Sequence, residues 1–324
     1  MTTKEKLLEL FESSRDIYLS GEDIAQKLAV SRTAVWKAVK ALQNDGYSID
    51  AVTNKGYSLS GQTDILSSQG VAKYLCPEII NMKISVVDTT SSTNAVVREK
   101  ANSGMAEGYM VIANEQTAGR GRLSRSFFSP KDTGIYMSLL LRPKNYSAKQ
   151  AVRITTMAAV AMCEAIETVS DEKAEIKWVN DIFVRGEKVC GILTEGSFNL
   201  ESGLLDYAVL GIGINIYQPK DGFPNELSSI AGAVFSDKQN DVKNRLVAEF
   251  LNRFYGYYSA VNQTEYVEQY RHRSFVIGKQ VSLMSCNKTK NAIVTGIDDE
   301  CRLLVKYPDG TEDCYSSGEI SIQI

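Results

Sequence analysis

Histidine is almost absent from this chain: His272 is the only one in 324 residues. That scarcity leaves no Ser-His or Cys-His pair for nucleophilic catalysis and no histidine-rich zinc site. The cysteines, at 76, 163, 190, 286, 301 and 314, form no C-x-x-C pair and no regular framework, so they read as reduced thiols of a cytosolic, cytoplasmic protein. No apolar run is long enough to span a bilayer, and residues 1–10 read as a charged amphipathic helix rather than a signal peptide, so no membrane association is expected. Charge of one sign is not in excess either. With 36 Lys and Arg against 39 Asp and Glu, the net charge of −3 obliges any attraction to nucleic acid to come from a local patch. A P-loop is missing. Gly211-Ile212-Gly213-Ile214-Asn215 is not a dinucleotide fingerprint, because no helix carrying a third glycine opens behind it.

What is present begins with size. A chain of 324 residues exceeds one ordinary hydrophobic core and implies two or three domains, and 44% hydrophobic with 23% charged residues is globular in composition. Residues 1–62 read as the first domain. Leu7, Leu8, Leu10 and Phe11 give a first helix one apolar face. Ser20 caps a second helix with Ile24, Ala25 and Leu28 inward, and Ser31 caps a third that runs to about Asn44. On that third helix Ala34, Val35, Ala38, Val39 and Leu42 face inward, leaving Arg32, Thr33, Trp36, Lys37 and Lys40 outside. Two alternating segments joined by Asn54-Lys55-Gly56 follow as a hairpin. This is the layout of a winged helix-turn-helix, with Ala29 where such motifs often carry glycine. Gln26 to Asn44 holds Lys27, Arg32, Lys37 and Lys40 without one acid, which concentrates positive field on the helix that would enter a major groove. Ser31, Arg32, Thr33, Lys37, Lys40 and Lys55 are the candidate DNA contacts. Trp36 reads in two ways, as packing against a neighbouring element or as a base contact, and packing is the favoured role. A protein-docking helix with solvated lysines is the alternative.

Residues 63–272 alternate strand-like and helix-like stretches, an α+β pattern of a mixed sheet covered by helices. Their polar residues gather where strands end. Ser91-Ser92-Thr93-Asn94 closes a strand and opens a helix, so hydroxyls, an amide and unpaired backbone N–H groups converge there. Gly119-Arg120-Gly121-Arg122-Leu123-Ser124-Arg125 follows the apolar run Tyr109–Ala113 and Gln116. Three arginines in six residues repel one another unless an anion lies between them, and arginine's planar fork matches carboxylate and phosphate oxygens. Taken singly, such a loop is a solvated turn and Ser92 or Thr93 a helix cap. Lys177-Trp178-Val179-Asn180-Asp181 sets a cation, an aromatic, an amide and a carboxylate at one turn, and Lys188 opens the strand-like run to Leu193. Glycine at 211 and 213 inside an apolar strand implies close approach by another backbone or a ligand. From residue 273 the chain turns to short strands read as a small barrel.

Ser92-Thr93-Asn94, Gln116, GRGRxxR at 119–125, KWxND at 177–181, KxxGIL at 188–193 and GxGxN at 211–215, in that order, resemble the biotin protein ligases. With the N-terminal module, the chain is similar to the bifunctional biotin ligase and biotin operon repressor. The resemblance implies a biotin/lipoate ligase catalytic domain of the class II synthetase-like kind, followed by a C-terminal SH3-like β-barrel over 273–324. It implies biotin, ATP and Mg²⁺ as ligands, and a lysine of a biotin carboxyl carrier protein as acceptor. Arg120, Arg122 and Lys188 would neutralise the carboxylate and phosphate oxygens, with Gly121 allowing close backbone approach. Ser92, Thr93, Asn94 and Gln116 would bind the ureido ring. Arg125, Phe127, Lys177, Asn180, Asn215 and Phe223 would face the nucleotide, with Phe127 standing where the family usually has tryptophan. Asp181 would contact Mg²⁺ or take a proton from the incoming lysine. Segments 119–125 and 217–233 would fold over the ligand, and a ligand-promoted homodimer would bind palindromic operator DNA. A lipoate ligase and a non-catalytic biotin-sensing repressor are the alternatives.

Overall fold

The computed structural model describes residues 1–144, 146–147, 150–199, 201–260, 265–285, 288–316 and 318–322, so Cys286 lies outside the described residues. The chain divides into two compact units, Met1–Ile80 with Asp237–Glu249, and Asn81–Ser236 with Phe250–Ile324.

The first unit contains α1 (Thr3–Glu12), α2 (Gly21–Leu28), α3 (Arg32–Asn44), β1 (Ile49–Val52), β2 (Gly56–Leu59) and α4 (Ser68–Ala72). Each of the first three helices starts on a hydroxyl cap, Thr2, Ser20 and Ser31, which accepts from a backbone N–H three residues on. Leu7, Phe11, Ile24, Val35, Leu42 and Leu59 close the core between them. The β1–β2 pair is an antiparallel hairpin in register from Ile49↔Leu59 to Val52↔Gly56. Gly56 is required there: its φ is +106°, and a Cβ would stand 2.0 Å from the carbonyl oxygen of Leu19.

Three local findings go beyond the sequence pattern. Ala29, the α2 C-cap, adopts φ 54° and ψ 47°, the left-handed conformation that explains why glycine suits this turn. Trp36 is 51% exposed, which corrects the expectation that it packs against a neighbouring element. The surroundings of α4 are tied to the rest of the unit by charge. Arg15 bridges Glu12 and Asp241, and the Lys73 ammonium lies 2.7 Å from Glu12 and 2.5 Å from Asp241, so two cations and two carboxylates neutralise one another within the unit. Asn244 adds to this network, accepting from the Ser67 N–H and donating to the Ile65 carbonyl.

The second unit is organised by a seven-stranded sheet. Its strands are β3 (Lys83–Thr90), β4 (Tyr109–Gln116), β5 (Gly134–Leu141), β6 (Ala174–Lys177), β7 (Asp181–Val184), β8 (Glu187–Phe198) and β9 (Leu205–Asn215), ordered β3-β4-β5-β9-β8-β7-β6. Only β3 and β4 run parallel; the other neighbours are antiparallel. Four helices belong with these strands in chain order: α5 (Thr93–Asn102), α6 (Ala151–Val169), α7 (Val242–Ser259), which starts in the first unit, and α8 (Glu265–Arg273). The alanine-rich α6 is buried along most of its length, since small side chains let it lie close to the sheet. β10 (Gln280–Ser285), β11 (Lys288–Ile297), β12 (Leu303–Lys306), β13 (Glu312–Tyr315) and β14 (Glu319–Ile322) form an antiparallel sheet ordered β13-β12-β11-β10-β14. Its edges, β13 and β14, are not paired with each other among the described residues. No described helix is long and apolar enough to cross a membrane.

Ala29→Gly should stabilise the first unit by up to about 1 kcal/mol. It removes about 1–2 kcal/mol of left-handed cost against about 0.4–1 kcal/mol of extra unfolded-chain entropy. Thermal unfolding followed by circular dichroism checks this, and a lowered midpoint would refute it.

Candidate functional site

A cavity of about 510 Å³ opens in the second unit where β4, β8 and β9 meet the start of α5, the arginine loop and strands β10 and β14. Every candidate residue read from the central sequence, from Ser92 to Phe223, lines it. Among the described lining residues, Arg120, Arg122, Arg125, Lys177 and Lys188 bring five positive charges, against Asp181 as the single carboxylate. Such an imbalance in a cleft is an attractive site for a polyanion.

The cations with described contacts are held by acceptors of the protein itself. Arg122 is half-buried and donates to Asn180 Oδ1 at 2.9 Å and to the Gly318 carbonyl at 3.0 Å, so it links the loop to the KWVND turn and to the C-terminal sheet. Asn180 is fixed in turn, its amide donating to the Ile192 carbonyl at 2.9 Å. Lys188 Nζ stands 2.7 Å from Asp181 Oδ1, an ion pair that lacks the angle of an aligned hydrogen bond. Arg120 and Arg125 are exposed.

The loop is a closed structure rather than a loose strand. Gly121 N–H donates to the Arg125 carbonyl, and Phe127 N–H to the Gly119 carbonyl at 2.9 Å. At its tip Leu123 and Ser124 both have positive φ, 53° and 60°, a conformation that disfavours side chains with a Cβ. The neck is tightest at Gly119, where a Cβ would lie 2.4 Å from the Phe127 oxygen and 2.6 Å from the Ser129 hydroxyl.

Under the loop lies a polar relay. Gln116 Oε1 accepts from the Thr93 N–H at 2.9 Å and from its hydroxyl, and Gln116 Nε2 donates to Ser129 Oγ at 3.0 Å. Ser138 Oγ, fully buried, sits 2.7 Å from Thr93 Oγ1 and 2.6 Å from Asn94 Oδ1. Asn94 then donates to Glu195 Oε2 at 2.7 Å, and Glu195 also pairs with Arg98. Ser92 occupies the α5 cap position yet makes no side-chain capping bond, which leaves its buried hydroxyl facing the cavity rather than serving the helix. Ser129, Ser138 and Glu195 were missed from sequence. They stand in no motif, and a single serine inside an apolar strand gives no signal until its neighbours are known.

The strand glycines are explained by side chains of this chain, not by another backbone. Gly191 and Gly213 are register partners on β8 and β9, and a Cβ on Gly213 would lie 2.4 Å from the Phe127 ring. A Cβ on Gly211 would lie 2.1 Å from Asn94 Oδ1. Phe127 therefore rests in a window cut by two missing side chains, with Tyr136 edge-on at 6.4 Å. Asn215 donates to the Gly232 carbonyl at 3.0 Å, and Lys188 exchanges backbone bonds with Ile230 and Gly232, so the 217–233 segment is tied down beside the cavity. Phe223 on that segment meets Phe128 edge-on. Cys190 also lines the cavity, but burial pushes its thiol far above the usual range, and it stays protonated.

In the first unit Arg32, Thr33, Lys37, Lys40 and Lys55 are all exposed, while the Ser31 hydroxyl is engaged as a cap, accepting from Ala34 N–H at 3.2 Å.

Gly213→Ala should eject the Phe127 ring and loosen the loop that Phe127 anchors. Trypsin cleavage after Arg120, Arg122 or Arg125 should then quicken about tenfold, as expected for ~1.4 kcal/mol of lost local stability. An unchanged cleavage rate in a folded variant would contradict the anchoring role.

A biotin/lipoate A/B protein ligase family model matches residues 86–215, an HTH domain model residues 3–58, and a biotin protein ligase C-terminal domain model residues 276–322. The bifunctional ligase/repressor BirA of Bacillus spizizenii is 34% identical over 320 residues, covering 98% of each chain. The Escherichia coli bifunctional ligase/repressor BirA is 26% identical over 99% of this chain and 98% of its own. The biotin--[acetyl-CoA-carboxylase] ligase of Mycobacterium tuberculosis is 30% identical over 74% of this chain and 88% of its own. A structure of the Aquifex aeolicus biotin protein ligase with biotin and ATP superposes with a TM-score of 0.62 at 23% identity, covering 74% of this chain and 98% of that one, which shows a common fold. Motif order, helix-turn-helix unit, cavity and near-full-length identity therefore agree, and the chain belongs to the family of the bifunctional biotin ligase/repressor BirA.

Proposed function

We infer that this chain is an ATP-dependent biotin protein ligase that also acts as a biotin-responsive transcriptional repressor. One observation carries the enzymatic half: five cations and one carboxylate share a cavity with a hydrogen-bonding set suited to a cyclic urea. Joining a carboxylate to a triphosphate forces anions together, and fixed positive charge lowers that barrier. Relatives named for both ligase and repressor activity support the pairing of functions.

In the first half-reaction the biotin carboxylate attacks the α-phosphorus of ATP, the bond to the bridging oxygen breaks, and pyrophosphate leaves. In the second, the amine of an acceptor lysine attacks the acyl carbon of biotinoyl-5′-AMP, and AMP departs as the nitrogen loses a proton. Arg120, Arg122 and Lys188 would stabilise the charge that gathers on the carboxylate and α-phosphate oxygens. Arg122 and Lys188 would exchange Asn180, Gly318 and Asp181 for ligand oxygens, so the net gain per contact is modest. Ser92, Thr93 and Gln116 would meet the ureido ring, with Asn94 held in place by Ser138 and Glu195. Gly121 would let the loop backbone close on the ligand. Arg125, Lys177 and Asn180 would serve the nucleotide phosphates, Phe127 and Phe223 the adenine, and Asn215 the anchoring of segment 217–233. Segments 119–125 and 217–233 would close over the adenylate.

Mg²⁺ fits this lining only as an ion carried by phosphate oxygens and water, because no three acidic, histidine or cysteine side chains converge among the described residues. When bound it would supply charge neutralisation to the phosphates, and Asp181 is the protein carboxylate that would hold it. Alternatively, released from Lys188, the same carboxylate would take the proton from the incoming lysine. The functional division follows 1–62 for DNA, 63–272 for ligation and 273–324 for a C-terminal module. The β1–β2 hairpin fits a wing and the five-stranded sheet an SH3-like barrel. The acceptor is a lysine of a biotin carboxyl carrier protein in the cytoplasm. A ligand-promoted homodimer would engage both halves of a palindromic operator through α3.

Incubation with biotin, ATP, Mg²⁺ and a carrier domain should label the carrier, and lipoate in place of biotin should not. Absence of both carrier labelling and pyrophosphate release would overturn the reading. Arg122→Ala and Lys188→Ala should each slow adenylate formation about tenfold to a hundredfold, the equivalent of roughly 1.5–3 kcal/mol for a lost charge-assisted bond. Unchanged single-turnover rates in both would remove the charge assignment. Sedimentation should show a monomer-to-dimer shift on adding biotin with ATP.

A further inference from the structure

One large side chain on the outer face of α3 has no part in the charge reading. Trp36 is 51% exposed, whereas Trp178, the other tryptophan of the chain, is 3% exposed and donates its indole N–H to the Cys301 carbonyl. Trp36 lies four residues after Arg32 and four before Lys40, with Thr33 and Lys37 beside it, and all five are exposed. Val35, Ala38, Val39 and Leu42 occupy the opposite, buried face. No acidic residue occurs anywhere in α3. Across from it, Glu22 of α2 stands 3.7 Å from Arg32 in an exposed pair that a phosphate would displace, so the face is an apolar centre flanked by cations. Its complement is an apolar surface flanked by anions, which is the pattern of a major groove where thymine methyl groups lie between two rows of phosphates.

We propose that Trp36 is a specificity-determining residue for DNA, its indole packing on thymine C5-methyl groups in the major groove while Arg32, Lys37 and Lys40 hold the flanking phosphates. The proposal rests on the reading of the first unit as a DNA-binding domain. It separates two kinds of contact on one helix. The lysines contribute a salt-dependent, sequence-independent attraction. The indole contributes an apolar, sequence-dependent and salt-independent one.

The test uses the full chain with biotin and ATP, and a duplex enriched by that chain from a randomised pool, with a scrambled duplex for comparison. Trp36→Ala should weaken binding to the enriched duplex roughly tenfold to a hundredfold. The salt slope and the affinity for the scrambled duplex should stay as they were. Lys37→Ala should instead reduce the salt slope by about 0.9 and weaken both duplexes. Replacing thymines in the enriched duplex with deoxyuridine should reproduce the loss for the wild type and add nothing for Trp36→Ala. Trp36→Phe, which keeps an aromatic surface, should retain part of the discrimination. Because Trp178 is buried, DNA should protect the fluorescence from acrylamide quenching through Trp36 alone. Equal affinities of wild type and Trp36→Ala for the enriched duplex, in a folded variant, would overturn the proposal. So would loss of self-association in sedimentation with DNA affinity intact, which would assign the indole to a protein contact. Failure of the wild-type chain to enrich any duplex would instead overturn the DNA reading on which the proposal stands.

Discussion

The controlling constraint in the second unit is mutual repulsion among like charges. Five cationic side chains line one cavity with a single carboxylate among them, and at an effective dielectric of about 20 two such charges 4 Å apart repel by roughly 4 kcal/mol. The chain meets this by giving its inner cations acceptors of its own. Arg122 is turned onto Asn180 and the Gly318 carbonyl, and Lys188 onto Asp181. These contacts keep the cations aimed inward without a ligand, and each can be exchanged for a ligand oxygen. The same contact from Arg122 explains why the C-terminal sheet belongs to the site: a backbone carbonyl just before β14 is one of its acceptors.

Close approach is the second condition, and missing side chains meet it. Gly119 lets the neck of the arginine loop close, and Gly213 seats the Phe127 ring against β9. Ser129 joins the neck to Gln116, Gln116 holds Thr93, and Ser138 holds Thr93 with Asn94. The proposed carboxylate and ureido ends of the site are therefore one hydrogen-bonded body, in which displacement of one member strains the next. In the first unit an analogous closed set, Glu12, Arg15, Lys73 and Asp241, fastens the helix-turn-helix to segments far away in sequence.

Much of this was legible in the chain itself. Apolar periodicity and capping hydroxyls locate α1, α2 and α3, because helix period and caps are local properties. The order of the polar motifs pointed to the residues that meet at the cavity. Three things were not legible. Trp36 was expected to pack, since tryptophan is mostly buried, and it lies exposed. α4 and the ion cluster beside it carry no mark in the sequence, because Lys73 and Asp241 meet Glu12 and Arg15 from more than fifty residues away. Glycine in a strand implies a close neighbour without saying which, and the space here is filled by Phe127 and Asn94.

Spacing along the chain is enough to say which residue types the site holds and which helix faces are buried, because both are local properties. The partners emerge only on folding: Lys188 faces Asp181, Arg122 reaches Gly318, and Glu195 and Ser138 hold Asn94. Those pairings depend on strand order and register in a sheet whose neighbours are distant in sequence. A hydrogen bond or ion pair acts only over a few ångströms, so spacing along the chain carries no record of it.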